Sequence, residues 1–155
     1  MRILALDPSS VAVGYCLGDD RADLPEMSGV FKPKGKPPER LRQIWVWLRA
    51  VVLENNPDMI SYEEPAGHHG NFRTDRLLAN VTGIIMAIAF EAKIWDLIRV
   101  YPMQVKATKC SKDNLIYAAR IAGKLEVDGD EADAVGVWLA ATAKTRELRM
   151  QGRIK

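Results

Sequence analysis

Residues 3–6 (ILAL) form an unbroken apolar run near the start of the chain. Successive side chains of a strand point to opposite faces, so a strand apolar at every position needs cover on both sides of its sheet. The run stops at Asp7-Pro8-Ser9-Ser10, a turn-forming sequence. Residues 11–17 read as a second strand, with Gly14 as a bulge or a point of close approach. Residues 27–31 read as a third. Three strands on short links predict an antiparallel meander.

The chain then changes character. Residues 32–36 (KPKGK) are a basic loop rich in helix breakers. Pro37 and Pro38 open a helix of about eighteen residues, where the missing N–H of proline costs nothing. Leu41, Ile44, Trp45, Leu48 and Val52 recur at helical spacing and mark its expected buried face. Residues 59–63 read as a fourth strand. After a loop carrying His68 and His69, residues 74–93 read as a long helix that is apolar on nearly every side. Its small residues Ala79, Gly83 and Ala87 lie four apart, and invite close approach by another helix. Residues 97–101 read as a fifth strand, 111–122 as a short helix and 130–144 as a last one. Three strands followed by strand–helix crossovers predict an α/β fold: a mixed five-stranded sheet, meander plus parallel strands, flanked by helices.

With 155 residues the chain suits one domain. The expected division is a domain over 1–145 and a basic C-terminal tail over 146–155. Apolar residues make up 48% of the chain and charged residues 27%. That balance excludes a disordered composition. Cys16 and Cys110 show no metal-ligand spacing and no disulfide framework; Cys16 sits in an apolar run and reads as a small buried side chain. The N-terminal MRILALD reaches an acid too early for a signal peptide, and the apolar stretch 81–90 is far short of the roughly 20 residues of a membrane span. The expectation is a cytoplasmic protein without a membrane segment.

Four acids carry the functional reading: Asp7, Glu63, Asp130 and Asp133. Singly, each has an ordinary explanation. Asp7 can start the Asp-Pro turn, Asp130 and Glu131 can complement a helix N-terminus, and Glu63 ends a strand. Asp133 is harder to dismiss, because it lies in an apolar helix one turn after Asp130. Two carboxylates on one helix face repel unless a cation lies between them. Acids ending the first and fourth strands can meet each other, and a D-x-x-D helix face can close the cluster. Hard carboxylate oxygens suit Mg²⁺ or Mn²⁺ rather than zinc. Glu64 competes with Glu63. Strand alternation places the two on opposite faces, and the register from Pro57-Asp58 favours Glu63, while Glu131 should point away from the pair.

Over residues 1–143 the chain resembles the RuvC-type Holliday junction resolvases of the RNase H-like superfamily. The match runs through ILALDPSSVAVGY, PDMISYEEP, YPMQVKATKCSK and DEADAVGVW, in that order. It implies an RNase H-like fold and a metal-dependent endonuclease that cleaves four-way DNA junctions. It also implies two Mg²⁺ or Mn²⁺ ions per active site, clamping the scissile phosphate about 4 Å apart. Asp7 would bridge the ions, Glu63 complete one site, and Asp130 with Asp133 the other. The implied products carry 5′-phosphate and 3′-hydroxyl ends, and no small-molecule cofactor is expected.

Lys106 and Lys112 fall on positions where the family contacts phosphate. Phe72, Arg73 and Arg76 complete the DNA-contact candidates. The loop after Glu63 departs from the family pattern, because the aromatic expected soon after the glutamate is delayed to Phe72. That ring either stacks on a base or staples the following helix. Resolvases of this family are homodimers, and helix 74–93 is the candidate interface; an ordinary core helix is the alternative. Three rival functions stand beside the resolvase: a broader structure-selective nuclease for branched or fork DNA, a non-catalytic junction-binding protein, and an actin-like ATPase. The chain is too short for the two similar domains of the last.

Overall fold

The computed structural model describes residues 1–65, 72–107 and 129–154. Among these lie five strands: β1 (Arg2–Pro8), β2 (Val13–Asp19), β3 (Met27–Phe31), β4 (Met59–Glu63) and β5 (Asp96–Val100). Four helices accompany them: α1 (Pro37–Asn55), α2 (Phe72–Glu91), α3 (Pro102–Ala107) and α4 (Gly129–Met150). The sheet order is β3-β2-β1-β4-β5. β1, β2 and β3 form the antiparallel meander, and β4 and β5 add on in parallel. The expected mixed sheet is therefore present. The expected helix over 111–122 lies outside the described residues.

β1 is central, and Ile3, Leu4, Ala5 and Leu6 are all fully buried. Alternation sorts them into two cores. Leu4 and Leu6, with Ile60 and Tyr62 of β4, pack under α1 and α2 through Ile44, Leu48, Val52, Val81 and Ile85. Ile3, Ala5, Cys16 and Met59 pack under α4 through Ala132, Val135, Trp138 and Ala141. Cys16 is thus the buried small residue its surroundings predict; burial and the nearby Glu131 charge push its thiol up.

Several boundaries move for identifiable reasons. β2 starts at Val13 rather than 11, because residues 9–12 are used by the turn. The Ser9 N–H donates to the Ala12 carbonyl at 2.9 Å, and Ser9 Oγ accepts the Ala12 N–H at 3.0 Å. Trp45 is 37% exposed rather than buried. Trp47 takes its place at the sheet margin, stacked on Phe31 at 4.6 Å and edge-on to Tyr15 at 5.4 Å. α1 ends where Asn56 adopts the left-handed conformation and donates its N–H to Val52, a common way to close a helix. Asp58 then accepts the Arg2 N–H at 2.7 Å and returns its own N–H to Arg2 at 2.9 Å. This pair locks the start of β4 beside the start of β1.

α4 runs past Lys144 to Met150, so residues 146–150, expected to begin a tail, are helical. Asp20, fully buried, draws them in. Its carboxylate pairs with Arg149 and with the Met1 amino group, and its carbonyl accepts from Arg146 at 3.2 Å. Burial alone would raise the Asp20 carboxyl, but these cations carry it below the ordinary value.

Candidate metal centre

The two parallel strands at the centre bring the first pair of acids together. β1 and β4 are in register from Ile3↔Met59 to Leu6↔Tyr62, so Asp7 and Glu63 are the next residues of each strand. Both belong to the odd positions, the face covered by α4. Of the charges that act on Asp7, that of Glu63 is the largest. Glu64 instead lies 3.9 Å from Arg99 and is absent from the field acting on Asp7. The choice of Glu63 is therefore the one the register produces. Ser9, not Asp7, closes the turn into β2, so the turn does not account for Asp7.

α4 supplies the second pair. Asp130 and Asp133 lie one turn apart on one helix face, and both act on Asp7. Glu131 points elsewhere, as expected: it is 4% exposed and accepts a 2.5 Å hydrogen bond from Ser28 of β3. This bond fixes the rotation of the first helical turn, holding Glu131 toward β3. Sequence reading missed Ser28; the only signal for it was a lone hydroxyl in a strand.

Gly14 fixes the distance. It pairs with Asp7 across the β1–β2 ladder, and a Cβ built on it would lie 2.0 Å from the Asp130 carbonyl oxygen. The register runs through it unbroken, so of the two sequence readings it is the close approach and not the bulge. Gly18, on the same face, gives Trp138 its place: a Cβ there would meet the indole at 3.0 Å. The Trp138 Nε1–H donates to the Gly18 carbonyl at 3.3 Å.

The electrostatic consequence is large. Burial, then the charges of Glu63, Asp133 and Asp130, push the Asp7 carboxyl up to about 8, since both effects disfavour the charged form. Among the described residues, no three acidic, histidine or cysteine side chains yet converge at metal-ligand spacing. The four carboxylates share one field. Such an all-oxygen set suits a hard divalent cation, which would offset the repulsion. Asp7 and Glu63 also line a cleft of about 290 Å³ with Ser9, Ser10, Thr74 and Pro102. A larger cavity of about 570 Å³ lies between β3 and α1, but it has only Glu39 as an acid and is not where the chemistry gathers.

A RuvC of Chlorobium phaeovibrioides, a crossover junction endodeoxyribonuclease, is 27% identical over 171 residues, covering 98% of this chain and 89% of the relative. A RuvC from Dehalococcoides mccartyi is 36% identical over 69 residues, 42% of each chain. A solved structure of T. thermophilus RuvC in complex with Holliday junction substrate superimposes with a TM-score of 0.78 at 22% identity, covering 100% of this chain and 98% of that one. The chain is RuvC-like in sequence and in fold. No family model matches it.

The remaining site expectations for this RuvC-like chain divide by position. Phe72 begins α2 and is 78% exposed, so it does not staple the helix. Arg73 and Arg76 are exposed on the same first turns, beside Thr74 and Leu78 of the cleft. Lys106 lies on the α3 backbone, and its side chain is outside the described residues. Lys112, His68 and His69 lie outside them altogether.

Two outcomes are expected from the geometry. The Asp7 carboxyl stands at about 8 in the folded chain, against about 4 for an ordinary carboxyl. Its protonation therefore favours the fold fully below that ordinary value, and the contribution is lost as pH rises through the folded value. In chelator, Asp7→Asn should be more stable than the wild type at about pH 8, with the advantage vanishing near about pH 4. Urea unfolding at both pH values checks this, and equal midpoints at the higher pH would contradict it. Gly14→Ala should cost about 1–3 kcal/mol by overpacking, read as a lower urea midpoint with an unchanged m-value.

Proposed function

We propose that the chain is a metal-dependent DNA endonuclease that resolves four-way junctions. The observation that carries this reading is the gathering of Asp7, Glu63, Asp130 and Asp133 at one end of the sheet, in a chain RuvC-like over 98% of its length. Four acids at one end of the sheet are a poor binding surface for a polyanion unless cations stand between them and the phosphate. They are a good site for phosphodiester hydrolysis when cations do.

Bound divalent cations, two Mg²⁺ or Mn²⁺ per site, would supply a water acidic enough to attack near neutral pH and would neutralise charge on the phosphate. Asp7 feels all three other acids and is the residue suited to be shared between ions. Glu63 and the Asp130/Asp133 pair would hold the cations together with it. Cleavage leaves 5′-phosphate and 3′-hydroxyl ends. The DNA is held by Lys106 and Lys112, with Arg73 and Arg76 along α2 and Phe72 free to stack on a base. In this reading the protein works in the cytoplasm.

A junction of near two-fold symmetry asks for two active sites, which a C₂ homodimer provides. α2 carries both faces the sequence allowed. Leu78, Val81, Ile85 and Ile88 are buried in the core. Ala79, Gly83, Met86, Ala87 and Phe90 are exposed along the other side, where Phe90 meets the 70%-exposed Trp95 edge-on at 5.7 Å. An exposed apolar stripe of this kind marks an interface, and a second copy of the chain is its proposed occupant.

Asp7→Asn or Asp130→Asn should abolish Mg²⁺- or Mn²⁺-dependent cleavage of a synthetic four-way junction, with junction binding retained. Undiminished cleavage by either purified variant overturns the assignment. Comparable cutting of a Y-fork by the wild type would instead favour a broader branch-selective nuclease. Among the described residues, nothing beyond its own stretch of helix lies within 4 Å of a Cβ placed on Gly83, so Gly83→Arg should leave the fold intact and convert a dimer to a monomer in sedimentation. A variant that stays dimeric excludes α2 as the interface.

A further inference from the structure

The basic loop after β3 has no part in the carboxylate site, yet the sheet delivers it to the same end. Asp7 pairs with Gly14, and Gly14 pairs with Val30. Val30 is thus two strand spacings from Asp7, about 10 Å at roughly 4.8 Å each. Two residues later comes Lys32, and from Lys32 to Arg42 the chain carries Lys32, Lys34, Lys36, Arg40 and Arg42 against a single acid, Glu39.

An ordinary solvated loop would leave these charges loosely held. This one is fixed at four points. The Lys34 N–H donates to Gln43 Oε1 at 3.0 Å, and its carbonyl accepts from Gln43 Nε2 at 2.8 Å. Glu39 accepts the Lys36 N–H at 2.9 Å. Arg40 then ties the loop to the site: its guanidinium donates to the Gly35 carbonyl at 2.7 Å and to the Ser10 carbonyl at 3.0 Å. Ser10 itself lines the Asp7 cleft. Four of these five hydrogen bonds use the backbone of the loop, so the exposed Lys34 and Lys36 side chains remain available to solvent.

We infer that residues 32–36 form a phosphate-binding clamp for the DNA strand next to the scissile bond. This rests on the endonuclease reading above and adds a contact surface to it. At about 3.4 Å of rise per nucleotide, the roughly 10 Å from Asp7 to Val30, at the end of β3 from which the loop departs, is about three nucleotides. The partner is the sugar–phosphate backbone of DNA, recognised by charge and not by sequence. A rigid cationic arm beside four carboxylates holds the polyanion where the acids alone would repel it.

The test is a salt titration of junction binding in EDTA, using the full chain and a synthetic four-way junction. Wild type is compared with the double variants Lys34→Ala/Lys36→Ala and Lys34→Arg/Lys36→Arg. The alanine pair should bind about tenfold more weakly, and its log–log salt slope should be shallower by about 2, roughly 0.9 per lost phosphate contact. The arginine pair should restore both. An unchanged slope in the alanine pair, or an arginine pair as weak as it, overturns the clamp while wild-type binding leaves the endonuclease reading standing. A wild type that binds no junction in EDTA overturns the clamp, whereas the endonuclease reading falls only if the wild type also fails to cut the junction in Mg²⁺ or Mn²⁺.

Discussion

The contact on which the site depends is the seating of α4 on the small residues of β2. Gly14, Cys16 and Gly18 present a face with almost no side chain, and the helix lies directly on it. At Gly14 the backbone of Asp130 comes so near that no Cβ fits between them. At Gly18 the space is filled by Trp138, the largest fully buried side chain. Two acids on a helix and two at strand ends come within each other's field because the helix can sit this low. A β2 with ordinary side chains would lift α4 off the sheet and separate the two pairs.

This closeness works against the fold. Asp7 is partly buried among three like charges, and its carboxyl rises to about 8 as a result. The arrangement persists because the surrounding structure is over-determined. β1 is buried on both faces, the Asp58–Arg2 exchange fixes its start against β4, and the Ser28–Glu131 bond fixes the turn of the helix that carries Asp130 and Asp133. Stability is given up locally at the four carboxylates, a relation common between functional sites and their scaffolds.

Much of this is legible in the sequence. The bounds of β3 and β4 follow from their apolar pattern alone, and the two-faced burial of β1 from four apolar residues in a row. The pairing of Asp130 with Asp133, and the exclusion of Glu131 from it, follow from helical spacing. Glu63 over Glu64 follows from strand parity. What stays hidden depends on tertiary contacts that no local pattern encodes. Trp45 and Trp47 fit the helix face almost equally well, and only the position of the β3 margin decides between them. The onset of β2 depends on how many residues Ser9 uses in its turn. The basic residues after Lys144 look unpartnered because Asp20, which holds them, lies more than a hundred positions earlier in the chain.

Asp20 has a wider meaning in that light. α4 is 22 residues long. At about 1.5 Å of rise per residue, it spans about 33 Å. Its acids stand at one end and its buried ionic anchor near the other. The helix is therefore a lever pivoted on Asp20. A tilt of only about 2° about the Arg149 end would move the acids by roughly 1 Å over that length, a misplacement of the size that costs enzymes about a hundredfold in rate. The alignment of the four carboxylates is thus set partly by a salt bridge at the far end of the helix that carries two of them.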